Sequence, residues 1–166
     1  MKPKKSNPPP QTDPDPPKEK IQRSAPADAD IYMNILDRYK DYRGCITQDG
    51  TCYNAANEVI GYIDFETQQA GSVDSEYLGI CKPYTTSHNF VIEDDLEQVL
   101  GIMDRGQARI VDSEGSTVVE MNGAGEVSGH FGSYLGQFSP FTYREMQFVA
   151  LWMLIIDCGM INEVEG

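Results

Sequence analysis

The feature that most constrains this chain is an apolar run near its end, nine residues from Phe148 to Ile156 without a polar interruption. A helix on a protein surface is apolar along one stripe only; one that is apolar all round must be buried on most of its sides. Thr142 followed by Glu145 matches a capping box, with Phe141 and Met146 at the positions of a hydrophobic staple. Gly159 stands where a left-handed residue ends many helices. The pattern predicts a buried helix over 142–158. A membrane-spanning helix needs about 20 apolar residues, and Arg144, Glu145 and Asp157 bracket this run too closely. No membrane partner is therefore expected. Trp152, the only tryptophan, sits mid-run and reads as the core anchor. Were the helix exposed instead, Phe148, Trp152 and Ile156 would form the kind of aromatic-aliphatic patch that dominates protein interfaces.

A buried helix needs something around it, and glycine shows where that is. None of the 15 glycines precedes Gly44. From there on, short apolar segments alternate with glycine turns, as in a β-meander, sandwich, barrel or solenoid. Asp49-Gly50 is a hairpin signal, and residues 58–65 alternate as a strand should. There is a faint echo between Glu58-Val-Ile-Gly61 and Glu126-Val-Ser-Gly129, and between Tyr77-Leu-Gly79 and Tyr134-Leu-Gly136. It suggests two β units, 44–82 and 99–138, of shared design, with a short acidic helix or turn over 93–100 between them.

Ahead of the glycines, residues 28–42 read as an amphipathic helix. Ile31, Ile35, Leu36 and Tyr39 recur at helical spacing; acids come early (Asp28, Asp30) and bases late (Arg38, Lys40, Arg43), as the helix dipole prefers. The expected fold is α+β: glycine-punctuated antiparallel β-meander units packed with an N-terminal amphipathic helix and a buried C-terminal helix, one domain over 28–166.

Residues 1–27 read as a disordered, Pro-rich tail. Eight of the ten prolines lie in the first 26 residues, and such segments bury too little apolar surface to fold alone. Pro8, Pro9 and Pro10 could dock in the aromatic groove of a small adaptor domain. The tail has no apolar signal core, so an intracellular, cytoplasmic protein with reduced thiols is expected.

Charge bounds the partners. Residues 1–23 hold six Lys/Arg and three Asp/Glu, whereas the remainder holds seven against 23. So acidic a folded part repels phosphate backbones, excluding nucleic acid, and suits protein partners with basic surfaces.

No motif for chemistry reaches the required spacing. An EF-hand loop set on Gly50 puts Cys45 at its first position and Ala56 at its twelfth, where acids are needed. Asp112-Ser-Glu114-Gly115 could cap a cation in a turn, but acids in turns are ordinary turn formers. Asn122-Gly-Ala-Gly125 and Gly129-His-Phe-Gly132 stand between strands, not before a helix as a phosphate cradle must. Cys45, Cys52, Cys81 and Cys158, with His88 and His130, give no zinc spacing. Cys45 or Cys158 could pair with His130 as a hydrolase nucleophile, and Glu120 with Glu126 as an acid/base pair, without support from spacing. No cofactor is implied. The sequence thus points to a non-enzymatic structural or adaptor subunit of a larger assembly, for which a cytoskeletal or ciliary complex is one setting. The alternatives are a module binding calcium or a small ligand through its acidic turns, and the cysteine hydrolase.

Overall fold

A computed structural model describes residues 24–26, 29–84 and 89–161. Pro8, Pro9, Pro10 and His88 lie outside them. The described chain is a closed antiparallel β-barrel of twelve strands, each paired with its neighbour in sequence and the last with the first. The strands are β1 (Ile31–Leu36), β2 (Tyr42–Thr47), β3 (Thr51–Asn54), β4 (Val59–Asp64), β5 (Gln69–Gly71), β6 (Tyr77–Pro83), β7 (Asn89–Asp94), β8 (Val99–Asp104), β9 (Arg109–Val111), β10 (Thr117–Met121), β11 (Glu126–Ser128) and β12 (Tyr134–Ser139). Closure leaves no open sheet edge.

This overturns the α+β expectation in three places. The helix expected over 28–42 does not form: its described residues, 29–42, give β1, a turn over 37–41 and the start of β2. Ile31, Met33 and Ile35 alternate as readily as Ile31, Ile35 and Tyr39 recur at helical spacing, and pairing on both flanks decides for the strand. The acidic stretch 93–100 is the end of β7, a turn and the start of β8. And there are not two β units but six hairpins in one barrel.

The six hairpins share one design. In each, an inward residue of the odd strand faces an inward position of the even strand: Ile35 with Gly44, Cys52 with Gly61, Ala70 with Gly79, Ile92 with Gly101, Ile110 with Val119, Val127 with Gly136. Glycine holds five of the six even-strand positions. Directly before each of these positions the register skips one residue, a β-bulge, at Arg43, Ile60, Leu78, Leu100, Val118 and Leu135. Bulges sharpen the local twist, and one per hairpin bends the meander into a cylinder. Two residues after the glycine position, Ile46, Ile63, Cys81, Met103, Met121 and Phe138 form a further buried ring.

The helix α1 (Met146–Leu151) runs up the inside of this cylinder. A 3-10 turn, Tyr143–Glu145, leads into it and begins at a capping box: the Arg144 N–H donates to Thr142 Oγ1 at 3.2 Å, and the Thr142 N–H to Glu145 Oε1 at 2.8 Å. The helix continues into a π-helical turn, Trp152–Ile156, and stops at Asp157, whose φ is −138°. Gly159 is therefore not the left-handed terminator that its position suggests; the helix ends two residues sooner.

The glycines make room for the π-helical turn and the residues that follow it. A Cβ at Gly44 would lie 3.0 Å from the Trp152 ring, one at Gly61 2.8 Å from Ile156, one at Gly79 2.5 Å from Ile155, one at Gly101 3.0 Å from Leu154 and one at Gly136 2.5 Å from Met160. Consecutive helix side chains thus radiate like spokes onto different strands. Trp152 has no accessible surface.

Candidate docking surface at the open end of the barrel

The two ends of the cylinder differ. Helix α1 enters at the end formed by the turns after the even strands, where Tyr143 approaches Gly123 and Arg105 donates to the Tyr143 carbonyl. An aromatic cluster closes over the helix here: Tyr32, Phe65 and Phe148 pack with ring centroids 4.6, 4.9 and 6.1 Å apart, and the Tyr32 hydroxyl donates to Glu145 at 3.1 Å. Burial, with help from Glu145, pushes the Tyr32 phenol up to about 12.

The opposite end is formed by the six turns that follow the odd strands. Five share a local mechanism. The first side chain of each turn (Asp37, Asn54, Ser72, Asp94, Asp112) accepts backbone N–H groups two and four residues on, at 2.8–3.2 Å. This is the Asx or Ser turn that makes these residues turn formers. The fourth residue of all six turns has positive φ: Lys40, Asn57, Ser75, Glu97, Gly115 and Gly132. Four of these are not glycine. That backbone is disfavoured for L-residues, and it persists where the first side chain ties the loop together.

This geometry thrusts the middle of each turn into solvent. Tyr39 is 68% exposed, Val73 51%, Leu96 73% and Phe131 89%. With Tyr77 and Val99, which open the strands that follow two of these turns, this end carries six of the eight exposed large apolar side chains among the described residues; Tyr84 and Tyr143 belong to the other end. The same six turns hold ten carboxylates (Asp37, Asp41, Glu58, Asp74, Glu76, Asp94, Asp95, Glu97, Asp112 and Glu114) and two cations, Arg38 and Lys40.

Inside the acidic rim lies an apolar floor. The bulge residues Ile60, Leu78, Leu100 and Val118 are half-buried, as are Leu154, Ile155, Ile156 and Ile161 where the chain emerges from the barrel. Arg43, the bulge residue of β2, instead clamps the end of the helix: its Nε and Nη2 donate to Asp157 at 2.5 and 2.9 Å. Against β10 to β12 the floor opens into a cavity of about 350 Å³ lined by Val118, His130, Phe131, Ser133, Leu135 and Ile161.

The residues singled out from sequence fall as follows. Phe148 belongs to the aromatic cluster, Trp152 to the barrel core, and Ile156 to the contact with Gly61 on the floor; a partner could touch Trp152 only if the helix left the barrel. Asp112 is occupied by its own turn, as is Asn122, which accepts from Ala124 and Glu126. Glu126 accepts from the Asn122 side chain, and Glu120 is exposed on β10. Cys45, Cys52 and Cys81 are buried and Cys158 is exposed. Desolvation raises the pKa of all four thiols, that of Cys81 to about 12; a nucleophilic thiol needs the opposite shift. His130 Nδ1 lies 2.9 Å from the Thr117 carbonyl, and its ring meets Phe131 edge-on at 4.2 Å. Among the described residues no three His, Cys, Asp or Glu side chains converge as a metal site would require. No helix among them is long and apolar enough to cross a membrane.

The sequence reading missed Tyr39, Leu96 and Phe131. The signal was present: Asp37, Asn54, Ser72, Asp94, Asp112 and Gly129 begin successive turns at spacings of 17, 18, 22, 18 and 17 residues, the same spacings that separate Gly44, Gly61, Gly79, Gly101, Val119 and Gly136. No protein-family model matches the chain, and neither the curated proteins nor the solved structures contain a match.

Proposed function

We propose that this protein is a non-enzymatic docking module, a structural or adaptor subunit whose open end binds a basic segment of a partner protein. The observation that carries the reading is the coincidence, at one end of the barrel, of ten carboxylates with six exposed large apolar side chains. Exposed apolar groups in a charged frame mark interaction sites, and aromatic anchors at the centre of a charged rim are the usual source of binding energy. The carboxylates would steer a cationic partner and repel nucleic acid. A lipid-facing role fits less well. The strands run from three to seven residues, against about 9–11 for a spanning strand, and the lumen is packed with apolar side chains.

Zero-length carbodiimide cross-linking of the full-length protein in its native assembly, read by mass spectrometry, tests the proposal. Cross-links from rim carboxylates, such as Asp74, Asp95, Glu97 and Glu114, to lysines of one partner are expected. Cross-links that arise only within the chain, or only from Asp49, Asp64, Glu66 and Asp104 at the other end, would contradict it.

A further inference from the structure

We infer that the cavity beside Phe131 is the anchor subsite of the docking surface, taking one large apolar side chain that projects from the partner's basic segment. The inference rests on the docking reading and adds to it what distinguishes one basic partner from another.

The position of the cavity follows from the one break in the sixfold pattern. In five hairpins glycine lets the chain inside the barrel press onto the wall, with Trp152, Ile156, Ile155, Leu154 and Met160 each seated on a glycine. The sixth hairpin has Val119 instead. The cavity opens there, between Val118 and Leu135 on the wall and Ile161 on the emerging chain. Its walls are thus mainly aliphatic, and His130 and Phe131 form its lip. At about 350 Å³ it stands at the small end of ligand clefts, which run from about 300 to 1,000 Å³. That is room for a single large side chain. Asp112 and Glu114 occupy the adjacent turn on one side, Asp37 and Asp41 the adjacent turn on the other. A side chain entering between them would be carried on a cationic backbone segment. The complement is therefore a lysine/arginine-rich peptide with one leucine, phenylalanine or tryptophan among the charges.

The test uses the full-length protein and two fluorescent probes: a short lysine/arginine peptide with one central tryptophan, and the same peptide with alanine in its place. Binding is followed by anisotropy at low salt. The tryptophan peptide is expected to bind about tenfold tighter, equivalent to about 1.4 kcal/mol. Phe131→Ala and Ser133→Trp, both at exposed positions, cut away the lip of the cavity and fill it respectively. Each is expected to bring the two affinities together by weakening the tryptophan peptide more than the alanine peptide. Equal affinities in the unaltered protein, or a preference that survives both substitutions, would overturn the anchor subsite and leave the docking reading standing. Failure of both peptides to bind would overturn the docking reading itself. Two further results would reassign the occupant: a dimer dissociated by Ser133→Trp would make it a second copy, and a gain in tryptophan-peptide affinity on removal of residues 1–23 would make it the chain's own basic tail.

Discussion

The two ends of this barrel are built from the same hairpins and do opposite things. At the closed end the apolar groups face one another: Tyr32, Phe65 and Phe148 pack together, Glu145 is shared between the capping box and the Tyr32 hydroxyl, and the entering helix stoppers the lumen. At the open end the apolar groups face water, framed by carboxylates, and the helix end is held to the wall through the Arg43–Asp157 pair. The difference teaches where binding energy can come from. Side chains already satisfied within the fold have nothing left to offer a partner, whereas Leu96 and Phe131 have gained almost nothing from folding and can contribute on docking.

The largest expected effect breaks the comparison from inside. Trp152→Ala should destabilise the protein by about 3–5 kcal/mol, as removing a fully buried aromatic does. Chemical denaturation measures it, and an unchanged midpoint would mean that the helix does not fill the barrel. By contrast Leu96→Ala and Phe131→Ala at the open end should move stability by no more than about 0.5 kcal/mol while weakening peptide binding. A loss of stability comparable to that of Trp152→Ala would show that these side chains belong to the fold.

Next in size is the contrast within the glycine ring. A Cβ at Gly79 would meet the Glu93 carbonyl oxygen at 2.3 Å as well as Ile155 at 2.5 Å, whereas one at Gly101 meets side-chain methyls of Ile110 and Leu154 at 2.9 and 3.0 Å. A backbone oxygen cannot step aside as a methyl can. Gly79→Ala should therefore cost towards the upper part of the range of about 1–3 kcal/mol for overpacking, and Gly101→Ala towards the lower part. Thermal melts of the two variants decide the order; the reverse order would contradict the close approach of the β7 backbone to Gly79.

A smaller effect sharpens the closed end through pH. Hydrogen bonds from Thr47 and Thr51 hold the Asp49 carboxyl below its ordinary range, and N–H groups of Thr67 and Glu66 do so for Asp64. A carboxyl whose pKa is lowered by folding adds stability above its unfolded pKa, about 3.9, and loses it as pH falls through the folded value. Stability should therefore drop on acidification below about pH 4, and Asp64→Asn should make that drop shallower. An acid limb unchanged by the substitution would remove Asp64 from the account. The mildest prediction concerns the thiols. Iodoacetamide near neutral pH should label Cys158 slowly and Cys45, Cys52 and Cys81 only after unfolding; one buried thiol reacting fast would reopen the cysteine-nucleophile reading.

How much of this was legible beforehand depends on range. The capping box at Thr142 and Glu145 and the all-round apolar run that follows it are local, and the sequence displays them directly. The barrel is not local. Ile31, Met33 and Ile35 satisfy the strand pattern as well as the helix pattern, and only pairing with β2 and β12 settles between them. The echo from Tyr77-Leu-Gly79 to Tyr134-Leu-Gly136 joined true equivalents three hairpins apart, but Gly129 belongs to a turn and has no counterpart in Gly61. The longer connection between β6 and β7 stretches one interval to 22 residues and hides the period. The docking surface was least visible of all. The acids in the turns were readable as turn formers, but that their apolar neighbours share one end follows only from strand order.

The most direct measurement is an amide NMR titration of the full-length protein with the tryptophan-bearing basic peptide. Shift changes centred on the turns at 94–98, 112–116 and 129–133, with the turns at 47–51, 64–68 and 104–108 unmoved, are the predicted result. Changes centred on the closed end, or spread equally over both, would contradict the division of labour between them.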